Sequence, residues 1–236
     1  MDDVGSALEF FERAYARHAR YWHHANRDST DPAHFPEPWK TLLRLLRLRR
    51  PGRALDLGAG EGSDAIRLAR LGYEVDAVEG TAVGADKIGR FARQAGVRVN
   101  AIHADARRYV PRGHYDVIIS SGMLHYLAPA DQRTVLSRLA KASAPGGLIQ
   151  VLMFTEHTPV AECHRIVDVY PDRDGSFLKR SLPGRRLVES TEIDKPDHSH
   201  HDFPAHSHSF VKVLVCNDLG ETAPPPGGDA AGGDRG

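Results

Sequence analysis

Residues 54–63 read Ala54-Leu55-Asp56-Leu57-Gly58-Ala59-Gly60-Glu61-Gly62-Ser63. A short apolar run, suited to a strand, ends in three alternate glycines, and a helical pattern begins at once. Glycines at such a junction let the backbone turn sharply and let a ligand approach to van der Waals contact. Several nucleotide-binding folds share a loop of this kind, so its spacing and surroundings decide between them. The spacing is G-x-G-x-G, with Ser63 where the dinucleotide fingerprint wants its third small residue. Asp56, two residues before the first glycine, would repel a diphosphate. It suits a ligand that carries a positive ammonium and sulfonium.

Downstream of the loop, strand-like runs recur at 73–78, 97–102, 115–120 and 148–154. Helical patterns fall at 63–71, 82–94 and 131–143, while the segment between the third and fourth runs is short and polar. This alternation predicts a parallel sheet with helices on both faces. Pro145-Gly146-Gly147 suits a turn into the fifth strand. Toward the end, 160–170 and 176–181 read as helices. Two strands at 186–192 and 209–216 follow, joined by a His-rich connection and expected to pair antiparallel. Upstream, Leu8, Phe11, Ala14, Tyr15, Ala19 and Trp22 mark an amphipathic helix over 7–24. Pro32, Pro36 and Pro38 break the chain into a loop, and a second helix is expected over 39–48. The division expected is an N-terminal helical cap (1–38), a main domain (39–219) with an insert at 156–184, and a disordered Pro- and Gly-rich tail (220–236).

Two further acids lie where a nucleoside would meet them. Glu79 ends the second strand and offers two oxygens to a ribose cis-diol. Asp105, just past the third, is placed to bond an exocyclic adenine amine. Taken with Tyr115-Asp116-Val117-Ile118-Ile119-Ser120 and Pro145-Gly146-Gly147-Leu148, the ordered set resembles the motifs of class I S-adenosylmethionine-dependent methyltransferases over roughly residues 39–154. Its size and layout are loosely similar to tellurite-resistance and other small-molecule methyltransferases.

The resemblance implies a Rossmann-like α/β fold. Its seven-stranded sheet would be mostly parallel with an antiparallel C-terminal strand, and would carry helices on both faces. It implies that Asp56, Gly58 and Gly60 hold the methionine part of S-adenosyl-L-methionine. Glu79 would take the ribose, Asp105 and Ala106 the adenine, and Ser120 and Ser121 would lie beside the methionine end. Gly80, Thr81 and Tyr21 belong to the same expected cofactor-binding set.

Methyl transfer from a sulfonium is an in-line displacement, so holding donor and acceptor in line is the protein's main task. A base is needed only when the acceptor must lose a proton. His125, after the fourth strand, is the candidate for that role; lining of the site and a structural role stay open beside it. Tyr15 and Tyr21 divide between capping the cofactor and packing the helix, whereas Trp22 reads as packing. His198, His200, His201, His206 and His208 cluster near the end. They read as a solvated hairpin connection before a metal or substrate site, and no metal is expected.

Formal net charge is zero, with 31 basic and 31 acidic residues. A polyanionic partner therefore has no global field to follow, which argues against nucleic acid. No apolar run approaches a membrane span, and two distant cysteines give no disulfide framework, so a cytoplasmic location is expected. The function expected is methyl transfer to an oxygen or nitrogen of a small molecule in a biosynthetic step. A detoxifying enzyme acting on a thiol, halide or metalloid is the alternative, and a non-catalytic cofactor-binding module is a further one. Acceptor and oligomeric state stay open.

Overall fold

The computed structural model describes residues 3–22, 37–157, 167–200 and 203–218. Seven strands form one sheet: β1 (Arg53–Leu57), β2 (Glu74–Glu79), β3 (Asn100–His103), β4 (Tyr115–Ser121), β5 (Ser143–Phe154), β6 (Arg186–His200) and β7 (Phe203–Cys216). Their order is β3-β2-β1-β4-β5-β7-β6. The first five pair parallel, and β7 is antiparallel to both β5 and β6. The helices are α1 (Asp3–Arg17), α2 (Lys40–Leu46), α3 (Ser63–Arg70), α4 (Ala82–Gln94), α5 (Pro129–Ala142) and α6 (Ser176–Ser181). This is the Rossmann-like methyltransferase sheet that the sequence predicts.

Strand alternation sorts the apolar residues to the two faces of the sheet. Leu55, Leu57, Ile118, Ile149 and Val213 pack with Val135, Leu136 and Leu139 of α5 on one face. Ala54, Val75, Val117, Ile119 and Leu214 pack with Leu42, Leu43 and Leu68 of α2 and α3 on the other. Each fully buried side chain of this size stabilises the sheet by about 1.5–3 kcal/mol. The chain runs from β1 outward through β2 and β3, then returns to β4 on the other side of β1. That reversal leaves a crevice at the carboxyl ends of β1 and β4, where ligands bind in open α/β sheets. Its floor is fixed by Gly58 and Ala59, whose amides both donate to Val78 O (2.9 and 3.0 Å).

Four expectations change. The first helix stops at Arg17 rather than running to 24, because the chain then turns to give its amides to Glu61. The Pro145–Gly147 turn lies within β5: Tyr115 pairs with Ser143 but Val117 with Leu148, so residues 144–147 bulge, with Gly146 at φ +71°. Residues 167–170 are not helical, and 160–166 lie outside the described residues. The His-rich connection is strand on both sides of 201–202, which lie outside the described residues, since β6 runs to His200 and β7 starts at Phe203. The tail at 220–236 lies outside the described residues.

Candidate active site

A cavity of about 500 Å³ opens above the crevice. Gly58, Gly60 and Glu61 of the glycine loop form its floor, and Glu79, Gly80, Asp105 and Ala106 one wall. Residues of α1, of the turn after β4 and of the β6–β7 ribbon close the rest. Gly58 has φ +76°, a conformation that disfavours any other residue, and a side chain there would run into Met123. At Gly60 (φ +56°) a Cβ would lie 3.1 Å from the Tyr15 hydroxyl. Both glycines thus let Met123, Tyr15 and Trp22 pack close against the loop at the edge of the cavity.

Among the described residues six carboxylates border this cavity (Asp56, Glu61, Asp64, Glu79, Asp105 and Asp194), against one guanidinium, Arg67. Asp56 is fully buried and accepts from Ala65 N at 2.9 Å. Burial, then the nearby charges of Asp64 and Glu79, push its proton affinity well above the usual carboxylate range. Glu79 is raised too, by burial, although hydrogen bonds from Thr81 and Gly60 pull the other way. Its Oε2 accepts from Gly60 N (2.8 Å); its Oε1 accepts from Thr81 N (3.0 Å) and Thr81 Oγ1 (2.8 Å). With the Gly80 backbone beside them, these donors hold the Glu79 carboxylate fixed at the wall of the cavity, braced against the loop. Carboxylates held at raised proton affinity are relieved by a cation, and S-adenosylmethionine carries a sulfonium and an ammonium. The chemistry of this donor set and the space above the glycines fit that cofactor.

The other expected residues separate into two groups. His125, Gly80, Asp105, Ala106 and Ser121 line the cavity. Asp105 is gripped by Arg107, with Nη2 to Oδ2 at 2.7 Å and Nε to both oxygens. Burial would raise Asp105, but the Arg107 hydrogen bonds and charge outweigh it and hold the group below the usual carboxylate range. Ser121 Oγ donates to Asp64 (3.0 Å). Tyr21, Thr81 and Ser120 do not line the cavity. Thr81 caps α4 by accepting from Gly84 N (3.2 Å), Ser120 is buried within the sheet, and Tyr21 packs behind Tyr15 and Trp22. Trp22 takes the wall position instead, its indole donating to the Tyr15 hydroxyl at 2.9 Å.

Two features were not foreseen. Glu61, inside the glycine loop, accepts from the amides of Tyr21 (3.0 Å) and Trp22 (2.9 Å) and from Lys87 Nζ (2.8 Å). Lys87 also donates to His18 O (2.6 Å), and the side chains of this ion pair are 6% and 1% exposed. Together they latch the segment after α1 over the loop. The available signal was an acid inside a glycine loop that serves no phosphate. The second feature is a stack of rings at the far end: Phe154 lies 3.9 Å from the His125 ring at 20° and 4.9 Å from His208 at 27°. His125 Nδ1 accepts from Phe154 N (3.2 Å). Among the described residues no three His, Cys, Asp or Glu side chains converge as a metal site, and no helix is long and apolar enough to cross a membrane.

Residues 54–147 match the family model described as a methyltransferase domain. The chain is 31% identical over 125 residues to the tRNA 5-carboxymethoxyuridine methyltransferase of Escherichia coli (strain K12), covering 50% of this chain and 47% of that one. It is 29% identical over 163 residues to the trans-aconitate 2-methyltransferase of Rhodococcus jostii (strain RHA1), covering 69% and 60%. The chain thus spans about half the length of the first of these relatives. In fold it resembles the 1,6-didemethyltoxoflavin-N1-methyltransferase of Burkholderia thailandensis, solved with bound 1,6-didemethyltoxoflavin and S-adenosylhomocysteine. The TM-score is 0.63 at 18% identity, over 91% of this chain and 88% of that one.

Proposed function

From the premise that this chain belongs, through residues 54–147, to the class I S-adenosylmethionine-dependent methyltransferase superfamily, we propose that it transfers a methyl group to an oxygen or nitrogen of a small-molecule acceptor. The observation that carries this is the division of one cavity into an acidic half over the glycine loop and an apolar, aromatic half beyond it. The bound cofactor supplies an electrophilic methyl carbon on a sulfonium. Asp56, Gly58, Gly60 and Ser121 hold its methionine end, Glu79 and Gly80 its ribose, and Asp105 and Ala106 its adenine. Tyr15 and Trp22 close over it and exclude water.

Three of the six bordering carboxylates, Glu61, Asp64 and Asp105, are paired with Lys87, Arg67 and Arg107, and the remaining acidic excess favours a small, uncharged or cationic acceptor over a phosphate-bearing one. That favours the small-molecule reading over a tRNA acceptor like that of the Escherichia coli relative. His125 enters as a hydrogen-bond donor to the acceptor. Its Nδ1 lone pair is taken by the Phe154 amide, so the neutral ring carries its proton on Nε2. In this reading the described residues 3–22 form a cap on the site, through Ala7, Leu8, Phe11, Tyr15 and Trp22.

Calorimetry with S-adenosylhomocysteine and with S-adenosylmethionine tests the cofactor half of the reading. We expect both to bind and to raise the thermal midpoint. Release of S-adenosylhomocysteine across a panel of phenols, amines, carboxylic acids, thiols and tRNA tests the acceptor half. Failure of either cofactor to bind refutes the proposal, and turnover with tRNA alone refutes the small-molecule acceptor.

A further inference from the structure

His206 and His208 stand two residues apart on β7, and their Nε2 atoms are 3.0 Å apart. An imidazole N–H must point at a lone pair, so only one of the two rings carries a proton on Nε2. Such a pair gains one proton without losing the bond between the rings, and a second proton breaks it. His208 is buried and lines the cavity, whereas His206 is half-buried and is not among the lining residues. The pair therefore joins the cavity to solvent. His125 cannot serve in the same way, since a proton on its Nδ1 would displace the Phe154 amide.

We infer that this cavity takes a flat aromatic acceptor bearing an ionisable hydroxyl, and that His208, backed by His206, removes the hydroxyl proton. The inference rests on the reading of the site as a methyltransferase. Three observations select the class. Phe11, Tyr126, His125, Phe154, His208 and Phe210 bring rings to this end of the cavity, and each well-placed aromatic contact adds about 0.5–1.5 kcal/mol beyond area burial. An imidazole titrates near neutrality, within reach of an aromatic hydroxyl and far from an aliphatic one. The acidic lining opposes a carboxylate or phosphate on the acceptor, and it opposes a phenolate as well unless a positive charge forms beside it. The protonated histidine pair is that charge.

Titratable groups near the pair among the described residues include His125, across the Phe154 ring, Tyr126 against His125, Glu156 just past the Thr155–Ser209 hydrogen bond, and Asp194 on β6, whose Oδ1 accepts from Ser209 Oγ at 2.7 Å. Lys195 and His198 are the register partners of His208 and His206. In the step inferred, the hydroxyl oxygen forms its bond to the methyl carbon as the carbon–sulfur bond breaks, and that electron pair leaves on sulfur. The hydroxyl proton passes to Nδ1 of His208, and the proton on Nε2 of that ring moves across the 3.0 Å bond to His206 Nε2 as the Nδ1 proton of His206 is given up. That last proton reaches solvent.

The test uses the full chain saturated with S-adenosylhomocysteine and 4-nitrophenol as probe, whose phenolate is distinguished by its visible absorption. In the wild type the bound probe should be more ionised than the free probe at the same pH. In His208→Phe, which keeps a ring in the stack, the phenol–phenolate midpoint should move up by about one pH unit, a tenfold change. His208→Gln should behave likewise, and His206→Phe should raise the midpoint by less. Failure of the probe to bind saturated protein overturns the inference, as does equal ionisation in wild type and both His208 variants. Calorimetric binding of S-adenosylhomocysteine is measured in parallel. Its loss from the wild type would sink the methyltransferase reading itself, whereas intact binding with unchanged ionisation would sink only the role of His208.

Discussion

Replacing both members of the Glu61–Lys87 pair tests whether the segment after α1 is a latch or only packing. Lys87→Met alone strands a buried carboxylate, and breaking a buried pair by removing one partner costs about 3–5 kcal/mol. Glu61 keeps the two amides of Tyr21 and Trp22, so the lower end of that range is expected. In the double variant Glu61→Leu with Lys87→Met no charge is left unpaired. Such replacement of an ion pair by apolar groups is often close to neutral for stability, so the thermal midpoint should recover the part of the loss that comes from the stranded charge. What the double variant does not recover is the acceptor for the two amides. Each hydrogen bond to a charged group contributes about 1.5–3 kcal/mol. At the low end two such bonds amount to about 3 kcal/mol, or roughly a hundredfold in affinity for any ligand that needs the segment closed over it. Calorimetry with S-adenosylhomocysteine reads this directly. Trp22 and Trp39, the chain's two tryptophans, both line the cavity, so quenching of their fluorescence by acrylamide reports the opening. A double variant as stable as the wild type that binds within about threefold of it would refute the latch.

Gly58→Ala should leave the sheet folded yet weaken S-adenosylhomocysteine binding by at least tenfold, because the new methyl meets Met123 at a positive φ; calorimetry and circular dichroism check both halves. Asp56 and Glu79 carry raised folded-state proton affinities. The native protein therefore binds protons more tightly than the unfolded chain, and these two groups contribute less stability as pH rises from the ordinary carboxylate range through their raised values. A bound cation reverses that shift, so S-adenosylmethionine should release protons on binding and bind more tightly as pH rises through the same window. Calorimetry in two buffers of different ionisation heat would detect the release, and a binding heat independent of buffer would contradict it. His125→Asn should retain the acceptor for the Phe154 amide and lose only about 0.5–1.5 kcal/mol of ring stacking. His125→Leu leaves that buried donor unsatisfied and should cost about 1–3 kcal/mol more in a urea melt.

Local chemistry made much of this protein legible before its fold was seen. The run from Leu55 to Ser63 reads as strand, turn and helix because each step depends on adjacent residues: apolar alternation, glycine at positive φ, and helical spacing after it. Asp56, Glu79 and Asp105 could be placed because each lies within two residues of the carboxyl end of a strand, and parallel strands end at the same edge. The bounds of α4 and α6 came out as expected for the same reason.

What only the tertiary structure decided involves partners far apart in the chain. Nothing near Glu61 in sequence says that its carboxylate meets Lys87, 26 residues on, and the amides of Tyr21 and Trp22, some 40 residues back. That long-range bond also ends α1 early, which helical periodicity alone cannot anticipate. His208 looked like part of a polar connection because its neighbours are histidine, serine and proline. It is buried because β7 pairs with β5 as well as β6, carrying it against Phe154. The cofactor half of the cavity is thus written in short motifs, whereas the acceptor half is made by surfaces that meet only when the sheet closes.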